Sequence, residues 1–191
     1  MLDYTLPMFT ARKVAQMSAI FAKKQGGNIN ILKLIKLLYL SDRESLAQHG
    51  MPISYDNPMS MDYGPMLSQT LDLINGFKGE SDTAKWDEWI NNRKDSNVSV
   101  ARLFEREDLD ELSDFDLEAI ESTWHKFGKL DQWELVEYTH KYCPEWKDPK
   151  GSRYPIKDSE ILIALGIPES EAIGLSEDIQ EQRYLNRMLS R

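Results

Sequence analysis

The decapeptide "ILKLIKLLYL" (residues 31–40) constrains the fold of this chain more than any other stretch. Stepped at 100° per residue it is apolar on nearly every side, and a helix that is hydrophobic all round belongs in the middle of a molecule. The segment from Ile29 to His49, stopped at Gly50, is therefore predicted as a central buried helix. Ile31, Leu34, Ile35 and Leu38 share one face, and Asp42 continues that face one turn later. Burying an unpaired carboxylate is costly, so Asp42 is expected to find donors and tie a loop to the helix. Lys33, Lys36 and Arg43 fall on the other side with Leu37 and Leu40. That mixed face reads either as a candidate interaction surface or as lysines snorkelling over the core edge.

Other helices follow from the same periodicity. Thr10 is a candidate N-cap for a helix carrying Val14, Met17 and Phe21 at helical spacing, stopped by Gly26-Gly27. Ser113 with Asp116, and Asp131 with Glu134, have the spacing of capping boxes. The first opens a stripe of Leu117, Ile120, Trp124 and Phe127; the second opens "LDQWELVEYTHKY", which stops at Pro144. "DSEILIAL" and "SEDIQEQRYLNRMLS" complete the helices. In "MPISYDNPMSMDYGP" the alternating apolar residues predict one or two short strands. Gly64 then suits an N-cap and Pro65 the first position of a helix running to about Asn75. Tyr63 is expected to pack on the central helix, its hydroxyl near Asp42. Residues 76–97 read as polar loop with room for a single helical turn around "WDEWI", and 98–104 as a further strand. The expected fold is mainly α with a small β element (α+β), about six helices around the central one, with 1–165 as the main unit and 166–191 as a helical tail, either part of the same domain or an appendage.

The chain offers little to catalysis. No Gly-x-Ser-x-Gly, phosphate-loop, dinucleotide-binding or zinc-protease string is present. His140 and Cys143 lie three apart, a spacing that suits metal ligation or a nucleophilic pair. With Trp133 and Val136 they also form a helical stripe, which reads as packed core. Trp124 and Trp133 are expected in the core, whereas Trp86, Trp89 and Trp146 in looped regions would favour protein binding. The single cysteine excludes an intrachain disulfide and gives no reason to expect an oxidising compartment. No charged leader precedes an apolar run, and "LLYL" is far short of a membrane span, so the cytoplasm is the expected location.

Charge is uneven along the chain. The first fifty residues carry seven basic and three acidic side chains, while the rest brings the total to −9. Residues 105–121 alone hold nine carboxylates against one arginine. This balance repels phosphate, so neither nucleic acid nor an anionic membrane is an expected partner. The acidic run reads as solvated helix surface or as a dock for a basic protein. The basic first fifty residues are the sole support for a DNA-binding alternative.

The ordered set "GGNINILKLIKLLYLSD", "GMPISYDNPMSMDYGP" and "LSQTLDLI" resembles the Panacea domain of SocA-like antitoxins and phage-associated proteins. "ELSDFDLEAIESTWHKFG", "LVEYTHKYCPEW" and "SRYPIKDSEIL" continue the pattern in order, so the resemblance runs over roughly residues 8–165. Matching positions include Lys36, Leu37, Leu38, Tyr39, Gly50, Pro52, Ile53, Tyr63, Gly64, Pro65, His140, Pro144 and Trp146. The resemblance implies an antitoxin of a bacterial or phage toxin–antitoxin system. Such a protein binds a cognate toxin, encoded next door, without catalysis, metal or cofactor. It also implies a second reading, a proteolytic adaptor that hands its partner to a protease, within a phage-associated (prophage) family. Relatives often carry an added DNA-binding domain, which this chain does not recognisably have. A small metal or thiol enzyme using His140 and Cys143 is the reading from another class.

Overall fold

The computed structural model describes residues 8–189, without the side chains of Asn186, Arg187 and Leu189. Helix α1 (Ala11–Lys24) begins where the Thr10 hydroxyl accepts the Lys13 amide at 3.0 Å, and it buries Val14, Met17 and Phe21. Strand β1 (Asn28–Asn30) follows, and helix α2 (Ile31–His49) starts two residues later than its periodicity suggested. The Asn30 side chain accepts the amides of Leu32 and Lys33, fixing that start. Ile29 belongs instead to a strand, opposite Val98. Leu34, Leu37 and Leu38 are wholly buried, and α2 is the central helix that its composition demanded.

The segment after α2 departs from expectation. Ile53 and Tyr55 lie in an irregular loop, and β2 (Pro58–Met61) pairs antiparallel with β3 (Gly64–Leu67). Gly64-Pro65 therefore opens a strand rather than a helix, and α3 (Ser68–Ile74) begins after the hairpin. Asp62 and Tyr63 make the two-residue turn, with Gly64 at φ +97 closing it. The region read as loop contains α4 (Glu80–Asp87), followed by β4 (Asn97–Ser99), the partner of β1.

Both expected capping boxes are present, at the starts of α5 (Asp114–Phe127) and α6 (Gln132–Tyr142). Strand β5 (Tyr154–Pro155) adds to the free edge of β2, giving a three-stranded sheet ordered β3-β2-β5. Helices α7 (Asp158–Ala164) and α8 (Glu169–Leu189) pack on each other. The described residues thus hold eight α-helices with two small antiparallel sheets, an α+β fold with α1, α5, α6 and β3 packed about α2. None of the described helices is long and apolar enough to cross a membrane.

Two surface expectations change. Trp86 and Trp89, expected in exposed loop, are buried. The Trp89 ring meets the edge of Phe104, with the Arg12 and Arg102 guanidiniums 5.8 and 5.0 Å from its centre. Trp133, expected in the core, is 53% exposed. The acidic run has an internal use as well. Arg12 pairs with Asp110, Lys13 with Asp116, Lys23 with Glu105 and Lys24 with Glu121. The positive charge of the N-terminal helix and the negative run thus answer each other across one seam.

Candidate functional site

The family-pattern residues meet where the hairpin crosses α2 and α6. Lys36 is 1% exposed, and its ammonium donates to the Pro65 carbonyl at 2.7 Å. Burial, with no carboxylate bonded to it, pushes its pKa down to about 7. The adjacent Gly64 has no room for a side chain. A Cβ there would stand 2.7 Å from Thr139 Oγ1, 3.0 Å from Lys36 Nζ and 3.4 Å from His140 Cδ2. Thr139 is itself held by donating to the Val136 carbonyl at 3.0 Å. The Tyr-Gly-Pro and Thr-His segments, far apart in sequence, are the two sides of this one close approach.

The outer layer is aromatic. The His140 ring stacks on Trp146, 3.9 Å between centres and 8° from parallel. Trp146 donates its indole N–H to the Met61 carbonyl at 2.9 Å, pinning the stack to the end of β2. Burial, and then the nearby Lys36 charge, lower the His140 pKa. Tyr63 does not pack on α2 and is not bonded to Asp42: it is 58% exposed, its ring edge-on to Trp133 at 5.8 Å.

A second group secures the loop after α2. Asp42 Oδ1 accepts the amides of Ile53 and Ser54 at 3.0 and 2.9 Å, and Oδ2 accepts the Ser54 hydroxyl. Asp42 thus has the loop-tying role expected of an inward carboxylate, with Pro52 buried in the loop beside its donors. Burial pushes the Asp42 pKa up to about 7 against the pull of the Ser54 donors. Asp56 accepts the amides of Gln69 and Thr70 and the Thr70 hydroxyl, capping α3 from a distance. Arg183 of α8 reaches the same loop. It donates to the Tyr55 carbonyl at 3.2 Å, to the Asp56 carbonyl at 2.7 Å, and through two nitrogens to the Asp158 carboxylate.

The basic residues singled out on α2 point inward. Lys33 donates to the Gly128 carbonyl at 2.8 Å, at the end of α5. Arg43 donates to Glu145 at 2.8 Å, on the same oxygen that accepts the Tyr39 hydroxyl at 2.6 Å. Lys33, Lys36 and Arg43 are therefore internal ties in this fold, neither gathered into an exposed basic patch nor snorkelling to solvent. The stripe of Trp133, Val136, His140 and Cys143 also splits, because α6 lies at the margin. Val136 and Cys143 are buried, while Trp133 and His140 are exposed. Burial drives the Cys143 thiol up to about 12, which keeps it protonated and a poor nucleophile. Among the described residues, no group of three or more His, Cys, Asp or Glu side chains is placed to hold a metal.

Sequence reasoning passed over Asp56, Thr139, Glu145, Asp158 and Arg183. Thr139 carried the one available signal, sitting beside His140 in the pattern; the others act on partners remote in sequence. Comparison with curated proteins and with solved structures gave no match. The family described as "Antitoxin SocA-like, Panacea domain" matches residues 34–147, more than half of the chain. The matched span begins within α2 and ends just beyond the Trp146 stack, enclosing the hairpin and α6, and the chain belongs to this SocA-like antitoxin family.

Proposed function

We propose that this chain neutralises a toxin protein by binding it directly in the cytoplasm, the toxin being the product of an adjacent gene. One observation supports binding over chemistry: the ionisable residues of the central helix are engaged in holding the fold. Lys36 holds a strand carbonyl, Asp42 holds a loop, and Tyr39 and Arg43 share Glu145. Such a set builds a scaffold that displays a surface, and family membership supplies the class of partner. The reading is tested by expressing the neighbouring gene with and without this one. Growth arrest by the neighbour alone, relieved on co-expression and accompanied by a recoverable complex, is the expected result. A harmless neighbour that yields no complex overturns it.

A further inference from the structure

The aromatic ridge over the hairpin and α6 has properties that the fold alone does not require. Tyr63 and Trp133 are more than half exposed, in contact with each other, and continuous through Gly64 with the His140–Trp146 stack. Their positions are fixed. Tyr63 sits in a turn locked by Gly64, Trp133 in a helix start held by the Asp131–Glu134 capping box, and Trp146 on the Met61 carbonyl. Aromatic side chains held this way lose little freedom on binding and are favoured interface anchors.

The charge around the ridge selects the partner. Glu137 follows Trp133 by one helical turn on the exposed side of α6, and Asp148 lies near His140. Neither is paired with a cation among the described residues. Two lysines of the same stretch are engaged elsewhere, Lys147 with Glu160 and Lys141 over the Tyr142 ring. Exposed aromatic rings beside unpaired carboxylates favour arginine and lysine, and the net charge of −9 steers a basic protein toward the chain.

We propose that the Tyr63–Trp133–His140–Trp146 ridge is the toxin-docking surface, receiving a segment of the toxin rich in arginine and lysine. The assignment rests on the antitoxin reading and has its own test. The complex with the adjacent gene's product is mapped by hydrogen–deuterium exchange, and its affinity is measured for the wild type, for Tyr63→Ala with Trp133→Ala, and for Glu137→Lys. Protection should fall on residues 61–66 and 133–148. The double variant should bind about tenfold or more weaker. Glu137→Lys should weaken binding several-fold, most visibly at low salt. Thermal unfolding of each variant establishes that it is folded. A complex whose footprint lies elsewhere, as on Ile173 and Tyr184 of α8, overturns the ridge while leaving the antitoxin reading intact. So does a double variant that binds like the wild type. No complex with the wild type overturns the antitoxin reading itself, and the ridge with it.

Discussion

Gly64→Ala should be far more damaging than its position at a hairpin suggests. The backbone there stands at φ +97, which costs a residue with a Cβ about 1–2 kcal/mol. Steric crowding adds to this. The new Cβ would lie 2.7 Å from Thr139 Oγ1, and that oxygen is tethered to the Val136 carbonyl. Relief by moving the strand stretches the bond from Lys36 to the Pro65 carbonyl, and an unpartnered buried amine costs about 1–3 kcal/mol. The sum is about 2–5 kcal/mol, roughly 10 °C in Tm for a chain of this length. Gly26→Ala separates the two contributions: Gly26 also has φ +97, but an added Cβ there meets nothing within 4 Å. It should lose only the conformational part. Adding Thr139→Ala to Gly64→Ala should recover about 1 kcal/mol relative to additivity. Urea unfolding followed by tryptophan fluorescence measures all five proteins, the wild type and the single Thr139→Ala variant included. If Gly64→Ala is no worse than Gly26→Ala, or shows no coupling to position 139, the close approach of hairpin and α6 is not what selects glycine.

Two further perturbations test the buried charges. Lys36 has a folded pKa of about 7 against 10.5, so the unfolded chain binds more protons between those values. Stability should therefore rise from pH 7 to pH 10 on this account and be lost as pH falls through 7. Lys36→Met should remove that slope, on the order of 1 kcal/mol per pH unit, in melts at pH 6, 8 and 9.5. For Asp42 the sign reverses: a pKa raised from 3.8 to about 7 gives stability that is present below pH 4 and lost as pH rises through 7. The contributions of these two groups taken together should thus pass through a minimum near neutrality. Arg183→Ala should leave the Asp158 carboxylate buried and unpaired, at about 3–5 kcal/mol, with faster amide exchange in α8. Arg183→Lys should not rescue it, because one ammonium cannot reproduce the fork that reaches Asp158 and two carbonyls.

What could be read from sequence was local. The caps at Thr10, Ser113 and Asp131 bond to amides within three residues, so residue type and spacing suffice. The all-round apolarity of residues 31–40 likewise placed α2 at the centre. Errors arose where a distant partner decides. Gly-Pro is chemically as good at a helix start as at a hairpin, and pairing with Pro58–Met61 makes the choice. Trp86 and Trp89 lie in polar sequence and gain their burial from the elements folded over them, with Arg12 of α1 reaching the Trp89 ring. Lys33 and Lys36 were expected to reach outward as cations. The carbonyls of Gly128 and Pro65 that hold them inward come from elements tens of residues away.

The Arg183 clamp has a practical consequence for cutting this protein down. The family match covers residues 34–147, and excision at those limits would look natural. That fragment would lack Asn30, the cap of its central helix, and the Val14–Phe21 side of its core. It would also lose β5 from the sheet edge and the guanidinium that braces the Tyr55–Asp56 loop. A portable version, for grafting or fusion, has to run from about residue 10 to beyond residue 183. In this chain the matched span is thus shorter than the set of elements that these contacts tie together.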